Sequence, residues 1–319
     1  MKHRNAIFLA VLLVLFLMLP WFTSNYILGV VIRIFMFAAL ALAWNIIGGF
    51  GGQLAFGNAS FFGIGAYAAA IGFSTYSISP WIGMLIGGVL AVILSLIIGY
   101  PSFRLRGIYF SLCTFAFSLI LEVLARHYIS FTGGDMGISV PLLGNAPAQF
   151  QFESGVPFYY IGLLMVILYV AVCRWIQVSK FGYYLSALRN DQEAAEALGI
   201  PSPRIKMYAF MINAFLTALV GTFYVQYTLF IDPQTAFGMN MSVQILLVAI
   251  AGGVGHLWGP VVGAFTLVTL GEITNYYLGA SIPGIDLIVY AIFLIIIVKA
   301  LPNGMVGLFQ QANRLFSRG

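Results

Sequence analysis

Residues 81–100 read Trp81-Ile82-Gly83-Met84-Leu85-Ile86-Gly87-Gly88-Val89-Leu90-Ala91-Val92-Ile93-Leu94-Ser95-Leu96-Ile97-Ile98-Gly99-Tyr100, twenty positions without a charged side chain. At about 1.5 Å of rise per residue, such a helix covers about 30 Å, the thickness of a bilayer's hydrocarbon core. The surrounding chain is of the same kind. Of its 319 residues 61% are hydrophobic and 7% charged, and the mean hydropathy is +1.01. A soluble globular surface carries roughly 25% charged residues, so hydrocarbon has to be part of the solvent. The 35 glycines fit close helix packing in a membrane. An all-α, polytopic integral membrane protein follows, read as one membrane domain over 1–319.

Breaks at charges, prolines and glycines divide the chain into about ten candidate spans: 6–23, 26–47, 55–76, 81–100, 107–128, 157–178, 207–230, 241–257, 259–279 and 284–301. The third starts in glycine-rich sequence and the eighth is short, which leaves a broken or re-entrant course open for either. The first follows Lys2-His3-Arg4 and is read as a retained helix, because no small-residue cleavage site comes after it. Ten crossings with both termini inside place Lys2, Arg4, Arg104, Arg106, Arg174, Lys180, Arg189, Arg204, Lys206, Lys299, Arg314 and Arg318 on the cytoplasmic side. Asp135, Glu153, Asp232 and Asp286 fall outside. The net charge of +5 is therefore a topology signal and not a nucleic-acid footprint.

The inner connection 179–206 is the one substantial cytoplasmic segment. Within it, Asn190 is expected to cap a two-turn helix, with Glu193 at the capping-box position. Gly199 supplies a left-handed end, and Pro201 stops continuation. A helix this short is not stable alone. Its small apolar face, Ala194, Ala195, Ala197 and Leu198, either rests on the protein's own helix ends or docks into a cytoplasmic partner.

Two glycine-rich segments, 48–67 and 252–264, lack the lysine and the β-α setting of a nucleotide loop. Interrupted helices in both halves of a chain point to a transport path. The candidate path or break positions are Gln53, Asn58, Phe62, Gly63, Gly65, Gly252, Gly253, Gly255 and Pro260. Ser60, Asn213 and Gln244 are further polar candidates, although helix-to-helix hydrogen bonds explain such residues equally well.

Five blocks occur in a fixed order. They are Phe61-Phe62-Gly63-Ile64-Gly65-Ala66-Tyr67, Thr132-Gly133-Gly134, the Glu193-to-Gly199 loop, the Gly252-to-Ala264 glycines, and Leu301-Pro302-Asn303-Gly304 with Gly307 and Leu308. Together they resemble the LivM-type permeases of branched-chain amino acid ABC importers, from about residue 40 to 309. The loop of Glu193, Ala194, Ala195 and Gly199 resembles the EAA-x-x-x-G coupling loop of such permeases. The resemblance implies a second LivH-type permease, two ABC ATPase subunits and a periplasmic amino-acid-binding protein as partners, besides membrane lipid. It implies that Asn190, Glu193, Ala194, Ala195, Leu198 and Gly199 couple the chain to the ATPase. Related permeases for urea or short amides share these blocks. A secondary transporter or channel is the rival of another class.

Four ionisable residues lie nearest hydrocarbon: Arg33, Glu122, Arg126 and Glu272. All map to the outer parts of their spans, and Glu122 can pair with Arg126 one turn away. Cys113 and Cys173 have no metal spacing. Neither a catalytic cluster nor a cofactor or metal site is expected, so the chain reads as a transport subunit and not an enzyme.

Overall fold

The computed structural model describes residues 15–105, 107–278, 304–307 and the isolated positions 289, 292, 295 and 299. Half of the expected first span, most of the expected tenth span and half of the terminal Leu301–Leu308 block lie outside the described residues. We number the helices in chain order: α1 Asn25–Asn45, continued by a π-helical turn Ile46–Phe50, α2 Asn58–Tyr76, α3 Pro80–Ser102, α4 Ile108–His127 and α5 Gly155–Val178. Then come α6 Lys180–Asn190, α7 Gln192–Ala197, α8 Ser202–Thr228, α9 Pro233–Phe237, α10 Met239–Gly252 and α11 Gly259–Leu278.

Among the described residues, six helical stretches are long and apolar enough to cross a membrane: 25–50, 80–102, 108–127, 155–178, 202–228 and 233–252. The remaining long helices, α2 and α11, have 19 and 20 residues and pack inside the same bundle. Ten spans is thus the finer expectation and six is what the described residues supply. α1 and its π turn are the most enclosed stretch and α4 the least. An apolar helix buried on nearly every side forms the centre of a bundle. On α3, by contrast, Ile82, Leu85, Val89, Ile93 and Ile97 are all more than a third exposed. An apolar rim at i, i+3 and i+4 spacing fits hydrocarbon.

Close packing of α2 against α8 sets the frame, with α3 laid across both. Glycine makes that approach possible. A Cβ at Gly65 would be driven into the Ala218 carbonyl oxygen, and one at Gly221 into that of Phe62. Thr222 Oγ1 uses the closeness, donating 3.0 Å to the Gly65 carbonyl.

Two of the expected spans are corrected by the chain's course. The third does not begin at 55: residues 51–57 are irregular and the helix starts at Asn58. The eighth is not continuous over 241–257. α10 stops at Gly252, because Gly253 takes φ +121, a backbone conformation open only to glycine, and 253–258 forms a turn into α11. On its other side α10 is separated from α9 by Gly238, whose extended backbone breaks the helix next to Phe237.

The connection between α4 and α5 is held to the bundle. Ile138 and Ser139 pair antiparallel with Ile231 and Phe230 in a two-stranded ribbon. The Trp81 indole donates 2.9 Å to the Pro147 carbonyl. Arg126 pairs with Glu122 at 2.7 Å, as its spacing requires, and also reaches Asp135 at 3.4 Å. Arg33 of α1 pairs with Glu272 of α11 at 2.7 Å, so two of the charges nearest hydrocarbon neutralise each other between helices.

Gly65→Ala is expected to separate α2 from α8, because the methyl meets backbone rather than a movable side chain. Overpacking of this kind costs about 1–3 kcal/mol. The check is membrane level and thermal unfolding in detergent, where an unchanged midpoint would refute the packing argument.

Candidate functional site

The site is the pair of chain interruptions, 51–57 and 253–258, with the segments around them. Non-helical backbone at membrane depth persists only where its N–H and C=O groups find partners inside the protein. Here those partners are a small set of side chains.

α4 presents three buried hydroxyls at i, i+3 and i+7: Ser111, Thr114 and Ser118. Ser111 Oγ donates 2.6 Å to the Leu54 carbonyl, and the Phe56 N–H donates 3.2 Å to Thr114 Oγ1. Ser118 Oγ donates 2.9 Å to the Phe237 carbonyl, beside the Gly238 break. One face of one helix thereby satisfies the first interruption and the α9–α10 junction together. From α1, Trp44 Nε1 donates 2.8 Å to the Ala55 carbonyl. The Ala59 N–H, in the uncapped first turn of α2, donates 3.1 Å to Ser242 Oγ of α10.

The second interruption hangs on Asn45, the last residue of α1. Its Oδ1 accepts from the Gly255 N–H at 2.8 Å, and its Nδ2 donates 3.1 Å to the His256 carbonyl. One amide thus clasps both sides of the turn. The π-helical turn follows at once, and Arg189 Nη1 donates 2.7 Å to the Gly49 carbonyl within it.

The sequence-derived positions now have places. Gln53 is half-buried in the first interruption, its N–H bonded to the Ile47 carbonyl at 3.1 Å. Phe62 is buried in the α2–α8 contact and Gly63 lies under the Phe237 ring. Gly252 packs against the Gly259 carbonyl, Gly255 takes φ +81, and Pro260 is buried in the first turn of α11. Asn58 faces Asn213 of α8, and the two amides exchange hydrogen bonds of 3.1 and 2.9 Å. Both are essentially fully buried, and Thr217 adds a third bond to Asn213. Asn58 is thus placed in a helix-to-helix clamp, the other use that such a residue allows.

The cytoplasmic loop changes in detail. Asn190 does not cap the short helix; it completes α6, and Asp191 takes the cap with its carboxylate accepting from the Ala194 N–H at 3.0 Å. The reason is backbone: Asp191 is extended at φ −154, ψ 107, which an N-cap requires. Asp also brings a full negative charge to the positive end of the helix. Glu193 then falls in the first turn. Gly199 does end the helix, at φ +84, with its N–H on the Glu196 carbonyl (2.9 Å) and the Ile200 N–H on that of Ala195 (3.1 Å). This double bond pattern is the Schellman motif. The apolar face splits. Ala195 is 3% exposed, sunk into the protein's own core, whereas Leu198 is 85% exposed and Ala194 is exposed as well. Lys206 at the start of α8 holds the helix from the other side, donating 2.7 Å to Gln192 Oε1.

Sequence reading passed over Asn45, the α4 hydroxyls and Arg189 as site residues. The hydroxyls carried a signal, a helical period of three small polar residues inside an apolar run. Among the described residues no group of His, Cys, Asp and Glu could hold a metal ion.

Residues 26–298 match the family described as branched-chain amino acid transport system / permease component. The chain belongs to that family. It is 28% identical to the LivM permease protein of the high-affinity branched-chain amino acid transport system of Escherichia coli K12, over 85% of this chain and 68% of that one. The corresponding LivH protein of Salmonella typhimurium is 22% identical, over 85% and 91%. The autoinducer 2 import permease LsrC of Yersinia enterocolitica is 29% identical over 35% of this chain and 32% of its own. No solved structure matches. The chain is thus a LivM-type permease, and the interruptions belong to a multi-pass membrane transport subunit.

Removing one amide of the Asn58–Asn213 clamp leaves the other buried without a partner, at a cost of about 1–3 kcal/mol. Asn58→Leu and Asn213→Leu should each lower the unfolding midpoint in detergent. The double variant should lose less than the sum of the two. Strict additivity would show that the amides do not act as a pair.

Proposed function

We propose that this chain is the membrane subunit through which an ATP-driven importer passes leucine, isoleucine or valine. A second LivH-type permease completes the pathway, two ABC ATPase subunits drive it from the cytoplasm, and a periplasmic binding protein delivers the solute. ATP is hydrolysed on the partners and not on this chain. The whole chain acts as one membrane domain of about ten helices, both termini cytoplasmic, with 179–206 as its coupling loop. The named solutes of the LivM and LivH relatives support the substrate class.

The observation that carries the ATPase contact is Leu198. A six-residue helix closed at both ends, anchored inward by Ala195, leaves a leucine 85% exposed at its tip. A large apolar side chain held rigidly in water is stabilised when a partner covers it. Ala194, Glu193 and Gly199 frame it, while Asn190 and Asp191 fix where the helix starts. Closure of the ATPase dimer would then move α6 and α7 and, through them, the membrane helices.

Leu198→Asp should leave membrane level unchanged and lower ATPase co-purification, and with it uptake. Burying an unpaired carboxylate in a packed contact opposes binding strongly. Intact association together with wild-type uptake would show that Leu198 is not the ATPase contact.

Orientation is tested separately. In a background lacking Cys113 and Cys173, Asp135→Cys should label from the periplasm and Glu193→Cys only after the membrane is opened. Labelling of both from one side would overturn the ten-span topology.

A further inference from the structure

Arg189 stands in the last turn of α6, two residues before the cap of α7. Its Nη1 donates 2.7 Å to the Gly49 carbonyl in the π-helical turn that ends α1. Its stem lies over the first interruption, where a Cβ on Gly52 would come within 2.9 Å of the arginine Cγ. On the second interruption a Cβ on Gly255 would be driven into Nη1 itself. The end of α1 with the interruption that follows it, and the second interruption far along the chain, therefore meet on one side chain, and each meets it with bare backbone. Asn45 closes the same group by clasping Gly255 and His256.

We propose that Arg189 is a positioning residue that ties movement of α6 and α7 to both interrupted segments of the membrane domain. The proposal rests on the reading of α7 as the ATPase contact. α6 and α7 share no flexible linker: Asn190 ends one, and Asp191 caps the other while its own N–H still bonds the Ala187 carbonyl at 3.0 Å. A displacement of α7 is thus handed to Arg189 within one turn of helix. Guanidinium suits the task because its planar fork can donate to Gly49 and lie flat against Gly255 at once, whereas an ammonium offers only a point contact. The 253–258 turn also has room on another side, where His256 and Trp258 border a cavity with Val170, Arg174 and Gln177. A segment clasped on one side and open on another can shift when its clasp is pulled.

The experiment uses the complete transporter, co-expressed with its partner subunits and reconstituted in liposomes with the binding protein. Uptake is counted per ATP hydrolysed for Arg189→Met, Arg189→Lys, Gly255→Ala and the Arg189→Met/Gly255→Ala double variant. Arg189→Met is expected to keep its ATPase subunits and its membrane level while uptake per ATP falls about fivefold, the scale of one partly exposed hydrogen bond to a charged group. Arg189→Lys should recover part of the loss, because it keeps the reach to Gly49. The double variant should lose less than the sum of the two single losses, since the Gly255 methyl already displaces the guanidinium and only the alanine's strain at φ +81 adds to it. Such non-additivity would not come from two independent packing defects. Wild-type uptake per ATP in Arg189→Met overturns the proposal. Equal loss of membrane level in the Met and Lys variants overturns it too, because Arg189 would then be needed only for folding. ATP-independent uptake by the wild-type complex would remove the coupling reading beneath the proposal, an outcome distinct from the other two.

Discussion

Backbone that leaves the helix inside an apolar bundle has to find its hydrogen-bond partners there, and this constraint organises the protein. The chain leaves the helix at 51–57, at Gly238 and at 253–258. Where such groups are shut away from water, each one left unpaired would cost several kcal/mol. The answer is a division of labour. α4 contributes a stripe of hydroxyls, α1 ends in an amide and an indole, and α6 contributes a guanidinium. Most of the buried polarity around the site is accounted for by this service to the backbone.

That accounting explains why some residues could be read from sequence and others could not. Spans of about 20 apolar residues bounded by charges declare themselves, and the helices at 80–102, 108–127 and 155–178 lie within about two residues of expectation. The glycine breaks were visible as composition. What they pack against was not, because glycine names only the need for closeness. Gly255 answers to Arg189 and Gly65 to Ala218, partners 66 and 153 positions away in the numbering. Asn58 showed the limit of single-residue reading: an isolated amide in an apolar run fits a solute path and a helix clamp alike. The clamp becomes visible only with the position of Asn213 on α8.

The short helix shows a similar limit at finer scale. Its end was legible, since Gly199 followed by Ile200 and Pro201 allows little else. Its start was misplaced by one residue, from Asp191 to Asn190. Both residue types cap well, and backbone dihedrals chose between them. Its face was the harder matter. Ala194, Ala195, Ala197 and Leu198 form one small apolar set in sequence, yet the helix turns about 100° per residue, so they cannot all face the same way. Ala195 goes inward and Leu198 outward.

This split is also what a mechanical contact requires. A helix whose apolar residues all faced a partner would be held to its own protein only by two flexible ends, and a push on it would be absorbed locally. Here Ala195 and the Lys206–Gln192 bond fix α7 to the start of α8, and its cap fuses it to α6. If Leu198 is the ATPase contact proposed above, force applied there has two rigid outlets. One runs along α8, which glycine-mediated packing locks to α2. The other runs through Arg189 to the ends of α1 and α10. The second outlet ends where the chain has already left the helix, which is where a small displacement can change backbone hydrogen bonding without breaking a packed core. A continuous bundle would have to move whole helices past one another to respond; an interrupted one can exchange the partners of a few carbonyls.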